Sequence, residues 1–122
     1  MDTADLIVEQ GATFRVSLTY TDSASVPISL VGYRAHMQIR DKAGATRVII
    51  DLTSDAGGGI TLGGGLHDLT SGKIDIHIGA SKTVLLKKNG AYDLHLVAVN
   101  DSDEVTRVFG GAILLTKAVT VA

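Results

Sequence analysis

The chain has 122 residues, of which 13 are acidic and 11 basic, for a formal net charge of −2; that balance excludes the basic field on which nucleic-acid binding depends. It has no cysteine, which excludes a disulfide framework, a thiolate nucleophile and a cysteine-ligated zinc, and fits a protein made in a reducing cytoplasm. The length suits one domain over residues 1–122 with a single hydrophobic core, and no apolar segment reaches the roughly 20 residues needed to span a membrane.

Met1-Asp2-Thr3-Ala4-Asp5 is short and acidic, without the basic start and apolar run of a secretory leader, so export by a leader is not expected. Asp5 to Glu9 then reads as a first strand, stopped by Gln10-Gly11. Thr13 to Tyr20 is the clearest strand: Phe14, Val16, Leu18 and Tyr20 alternate with polar residues, which puts one face on a core and the other in water. Thr21 to Ser25 is a polar turn, and Pro27, lacking an N–H, belongs in a loop or at a sheet edge.

Tyr33 to Arg40 sets Tyr33, Ala35, Met37 and Ile39 on one face, and Asp41-Lys42-Ala43-Gly44 turns the chain into a strand over Thr46 to Thr53. Gly57-Gly58-Gly59 and Gly63-Gly64-Gly65 bracket a short strand, Ile60-Thr61-Leu62. Lys73 to Ile78 alternates through Ile74, Ile76 and Ile78. Ser81 to Leu86 is the one plausible helix, a turn or two capped by Ser81 with Val84 and Leu85 packing inward. Tyr92 to Val99 and Val105 to Thr120 complete the set, separated by a turn at Asn100-Asp101-Ser102-Asp103.

Eight or nine short strands, without helices long enough for crossovers between parallel strands, predict an all-β fold. The expected architecture is an antiparallel two-sheet β-sandwich, immunoglobulin-like or jelly-roll-like, with at most one short helix near 81–86. Some strands are apolar on both faces: Val48-Ile49-Ile50, Leu96-Val97-Ala98-Val99 and Ala112-Ile113-Leu114-Leu115. The outer face of a two-layer sandwich normally meets water. Ile49, Val97, Val99, Ile113, Leu114 and Leu115 are therefore candidate interface residues, since each aliphatic side chain buried on association is worth roughly 1.5–3 kcal/mol. Cover by the chain's own loops is the alternative.

Candidates for chemistry are weak. The glycine triplets lack the following helix and Lys-Ser pair of a phosphate-binding loop, so they read as turns. His36, His67, His77 and His95 show no metal-ligand spacing; His36 shares the polar phase of its strand with Arg34 and Gln38, and His77 that of Lys73 and Asp75. Asp101-Ser102-Asp103-Glu104 begins like a calcium loop but lacks its glycine and its distant glutamate; a turn is the expected role and weak cation binding the alternative. With no nucleophile elbow, catalytic residues, metal and cofactor are all expected to be none, and the protein is not expected to be an enzyme.

Three segments resemble one family. They are Gln10-Gly11-Ala12-Thr13-Phe14 with its strand, Ile28-Ser29-Leu30-Val31-Gly32-Tyr33 running to Arg40, and Ala91-Tyr92-Asp93-Leu94-His95-Leu96 running through Glu104-Val105-Thr106-Arg107-Val108 to the Gly111–Leu115 strand. Together they resemble small virion proteins of tailed bacteriophages, similar to the N-terminal β-sandwich domain of the upper baseplate proteins that carry receptor-binding fibres. The resemblance implies a scaffold in which Leu30-Val31-Gly32-Tyr33 plugs the sandwich and Glu104 to Arg107 pairs charges at its rim. It implies a virion protein made in the host bacterial cytoplasm, partnered by other phage structural proteins (tail, baseplate, fibre or capsid) and by copies of itself, with neither nucleic acid nor membrane as partner. Because no coiled-coil heptads, collagen-like repeat or receptor-binding domain follows the sandwich, an adaptor that docks fibres or spikes is expected rather than a complete fibre. A capsid decoration or cement protein is the alternative. A carbohydrate-binding module is the second alternative class; the absence of Trp and the core phase of Tyr20, Tyr33 and Tyr92 count against it.

Overall fold

Alternation along the chain becomes nine strands in two facing sheets in the computed structural model, which describes residues 2–63 and 69–119. The strands are β1 (Asp2–Thr3), β2 (Leu6–Glu9), β3 (Phe14–Thr19), β4 (Tyr33–Arg40), β5 (Ile50–Thr53), β6 (Ile60–Leu62), β7 (Lys73–Ile78), β8 (Gly90–Ala98) and β9 (Asp101–Thr116). A single short helix, α1 (Ala80–Thr83), and a 3-10 turn at Leu69–Ser71 complete the described elements. The larger sheet runs β1-β9-β8-β4-β5, with β2 continuing β1 along the same side of β9, and the smaller sheet runs β3-β7-β6. The fold is thus an all-β two-sheet sandwich.

Its core lies between the sheets and follows the period of two. From β4 come Ala35, Met37 and Ile39; from β8, Tyr92, Leu94 and Leu96; from β7, Ile74, Ile76 and Ile78; all are buried. Phe14, Val16 and Leu18 of β3 pack against this cluster but are only half-buried. Pairing is antiparallel throughout the described strands except at the N-terminal edge, where β1 and β2 run parallel to β9. Asp2 faces Phe109 and Leu6 faces Ile113, so the register holds across the break at Ala4-Asp5. Side chains replace the ladder there: the Tyr92 hydroxyl donates to the Ala4 carbonyl at 2.5 Å, and the Ala112 N–H donates to Asp5 Oδ1 at 3.0 Å. Gly111 is required beside them, because a Cβ at that position would stand 2.6 Å from the Ala4 carbonyl oxygen.

Among the described strands four connections cross between the sheets, and two of them, β2–β3 and β5–β6, are tight corners. At the first, between β2 and β3, the buried Thr83 hydroxyl accepts the Gly11 N–H at 3.0 Å and donates to the Ala12 carbonyl at 2.9 Å, while Gln10 Nε2 donates to the Leu86 carbonyl at 2.6 Å. At the second, between β5 and β6, Gly59 adopts φ +95°, and its carbonyl accepts the His77 N–H at 2.7 Å. A side chain there would meet both the His77 carbonyl and Leu52 at 2.8 Å.

Several expectations are corrected. The strand expected from Thr46 begins only at Ile50; the Arg40 guanidinium donates to the Ala45 carbonyl at 2.5 Å and holds the preceding stretch as a loop. The helix is shorter than 81–86, its N-cap position is Gly79 with no side-chain cap, and Ser81 is exposed. Thr83 is its one buried residue, and beyond its end Leu86 is buried, whereas Val84 is half-buried and Leu85 exposed. The β8–β9 turn is Val99-Asn100, with Ala98 opposite Asp101, and Ser102, Asp103 and Glu104 fall in an irregularity of β9 before Val105 pairs with Val97. Ile113 is fully buried against the core rather than outward-facing. The last strand runs from Asp101 to Thr116 and so stops short of the expected Thr120, with 117–119 already outside the sheet, while Gly64, Gly65 and His67 lie outside the described residues.

Candidate functional site

The outer face of the larger sheet carries two apolar patches separated by a charged row. At one end, Val97 and Val105 stand directly opposite each other across β8 and β9. Val99 follows at the hairpin tip, 68% exposed, and its N–H donates to the Gly32 carbonyl at 2.9 Å, which draws the exposed Val31 to the same end. Gly32 is at φ +84° and so makes the turn that leaves Val31 outside the core. At the N-terminal edge, Ile7, 67% exposed, stands opposite the exposed Leu114.

Of the six candidate interface residues, the structure exposes Val99 and Leu114, half-buries Val97, and packs the half-buried Ile49 and Leu115 against the core, while Ile113 lies within it. Sequence reasoning missed Ile7, Val31 and Val105. Ile7 sits within Leu6-Ile7-Val8, apolar on both faces, which is the same signature that pointed to Leu114.

Between the patches the face is polar. His36 and His95 are directly opposed across β4 and β8. His36 Nε2 lies 2.5 Å from Asp51 Oδ1, and His95 Nε2 lies 3.4 Å from Asp93 Oδ2. Arg107 Nε reaches the same Asp93 oxygen at 3.5 Å, so Arg107 pairs across the hairpin and not with Glu104. His77 is on the outer face of the smaller sheet, so the three described histidines do not converge. Among the described residues no group of three or more His, Asp or Glu side chains is placed to hold a metal ion. The acidic segment is exposed, and Asp101 Oδ1 accepts the Asp103 N–H at 3.0 Å as in an Asx turn.

A cleft of about 620 Å³ opens beside the second corner and is lined by Tyr33, Asp55, Gly59, Ile60, His77 and Lys82 among others. Tyr33 packs against the core in the phase its strand predicts, and as the first residue of β4 it is only half-buried and also lines this cleft. A smaller cleft of about 370 Å³ lies over the charged row, between it and the loop carrying Lys42 to Gly44. Within that loop's reach Arg40 is already engaged, donating also to Gln38 Oε1 at 2.8 Å.

Among the described residues Tyr92 is the one titratable group with a resolved shift: burial, and secondarily the carboxylate of Asp5, push its phenol up to about 12. Its hydroxyl ties β8 to the break between β1 and β2. Among the described residues no helix is long and apolar enough to cross a membrane. The chain matches no family model, and no curated protein matches it.

Proposed function

We propose that the protein is a non-enzymatic structural component of a tailed-phage virion, an adaptor in the tail or baseplate that docks fibres or spikes. The observation carrying this reading is the valine cluster at the hairpin end, where Val31, Val99 and Val105 are all exposed around Val97. A contiguous apolar patch of that kind on a small domain is characteristic of a contact surface. The sandwich beneath it is held by continuous strand ladders over a buried core, which suits a part that positions others. The resemblance of the three segments to upper baseplate proteins supplies the kind of particle, and the host bacterial cytoplasm is then where the chain is made.

Mass spectrometry of gradient-purified tailed particles made with a tagged copy of the chain tests the reading. Peptides of the chain are expected in the particle fraction, and Val99→Asp, which leaves the core untouched, is expected to remove them while the variant remains folded. A folded chain that never accompanies particles overturns the proposal. Retention on a glycan array that is lost on Tyr33→Ala would instead favour a carbohydrate-binding module acting through the larger cleft.

A further inference from the structure

The smaller sheet ends in β3, and among the described residues no strand pairs with its outer side. Its register with β7 is unbroken from Phe14↔Ile78 to Thr19↔Lys73. One step further on, Tyr20 donates its N–H to the Gly72 carbonyl at 2.8 Å. In an antiparallel pair the backbone groups of alternate residues turn toward the same neighbour. Tyr20 therefore shares its direction with Phe14, Val16 and Leu18, which face β7. The other side of β7 agrees: His77 donates to Gly59 and Lys73 accepts from Gly63, so its odd-numbered residues face β6 and its even-numbered ones β3. Arg15, Ser17 and Thr19 are left with N–H and C=O groups directed away from the sheet.

An open edge of this kind is a template for another strand, and natural edges are usually guarded by shortness, proline, lysine, a bulge or an inward charge. The other edges are short or interrupted: β5 has four residues, β6 has three, and the N-terminal edge breaks at Ala4-Asp5. β3 has six residues with no proline, lysine, bulge or inward charge, and its single charged side chain, Arg15, is exposed. We propose that β3 pairs antiparallel with β3 of a second copy of this chain, about a two-fold axis at Ser17.

The strand's own sequence selects the second copy as the occupant. Pairing about Ser17 sets Ser17 opposite Ser17 and Arg15 opposite Thr19 of the other copy, so no like charges meet. All three outward-directed residues are used, giving roughly six backbone hydrogen bonds at two per pair. On the inward face Val16 meets Leu18 and Phe14 meets Tyr20. These are the half-buried apolar residues of the described smaller sheet's edge, and the pairing extends the core across the junction. The two small sheets become one continuous sheet, while the valine cluster and the Ile7–Leu114 pair on the larger sheets stay free.

The experiment uses the purified full chain in buffer, without particles, so its failure is distinct from failure of the virion reading. Sedimentation velocity over about 1 µM to about 1 mM is expected to show a monomer–dimer equilibrium. Ser17→Pro removes an N–H that β7 does not use, and Ser17→Lys sets two like charges opposite each other at the axis. Each is expected to weaken the dimer by at least about tenfold with unchanged circular dichroism. Leu18→Pro, by contrast, removes an N–H directed at β7 and is expected to unfold the sheet. Amide exchange at Arg15, Ser17 and Thr19 is expected to slow with rising concentration. A wild-type chain monomeric throughout the range overturns the proposal, as do dimers undiminished in Ser17→Lys, the variant that decides if Ser17→Pro fails to fold.

Discussion

β8 and β3 carry the same alternation of apolar and polar residues, yet they bury their apolar faces to different depths. β8 lies between β9 and β4, and Tyr92, Leu94 and Leu96 are buried; β3 has β7 on one side only, and Phe14, Val16 and Leu18 remain half-buried. The period fixes which side of a strand faces the core. How far that side is removed from water depends on whether the strand has one neighbour or two, and on what closes over its ends. The central strand therefore carries stability, whereas the edge strand keeps surface and hydrogen-bonding capacity for association.

Truncating the same side chain in both strands breaks or upholds this contrast. Leu94→Ala empties a fully buried site and is expected to cost about 3 kcal/mol in chemical denaturation, within the range for buried leucines. Leu18→Ala, at a half-buried edge site, is expected to cost about 1 kcal/mol at concentrations where the chain is monomeric, because less area returns to water and the gap can collapse. Equal losses would mean that edge position does not set burial energy here. Next in size is Thr83→Val at the corner that launches β3. It keeps the shape but leaves the Gly11 N–H without its acceptor, for an expected loss of about 2 kcal/mol. A loss near zero would show that β3 is held by its ladder to β7 alone.

Much of the fold was legible in the amino-acid sequence, and the illegible part, which includes this contrast, has identifiable causes. Tyr33–Arg40, Ile60–Leu62 and Lys73–Ile78 are strands with the bounds the alternation predicts, because local period and flanking turns suffice to define them. Sheet position does not follow from period, so the central place of β8 and the edge place of β3 had no local sign. Ile113 shows the same limit within one strand. Ala112-Ile113-Leu114-Leu115 is apolar in both phases, and which phase faces inward is set remotely, by the register shift between Leu94 and His95 that leaves Val108 as an extra buried residue. The parallel pairing of β1 and β2 with β9 unites the two ends of the chain, beyond any local pattern. Of the exposed apolar positions, Val99 and Leu114 were legible from two-faced strands, while Val31 depended on the left-handed turn at Gly32.

An effect at neutral pH as small as that of Leu18→Ala is expected from Tyr92→Phe, which probes the central strand from another side. The substitution removes the hydrogen bond to the Ala4 carbonyl and is expected to cost about 1 kcal/mol. Above neutrality the two proteins diverge. Burial first, and Asp5 second, raise the Tyr92 phenol from its ordinary 10 to about 12 in the folded chain. Between those values the unfolded chain has released a proton that the folded chain retains, so unfolding is favoured as pH rises. The stabilisation attached to the neutral phenol is fully present below pH 10 and lost as pH climbs through about 12. Wild-type stability should therefore fall more steeply across that window than that of Tyr92→Phe, whose initial deficit narrows and then reverses sign or vanishes. The difference in phenolate absorbance between the two folded proteins should rise near pH 12. A midpoint near the ordinary 10 would mean that the ring of Tyr92 stands in water, and that β8 is not closed over at its N-terminal edge in the way that separates it from β3.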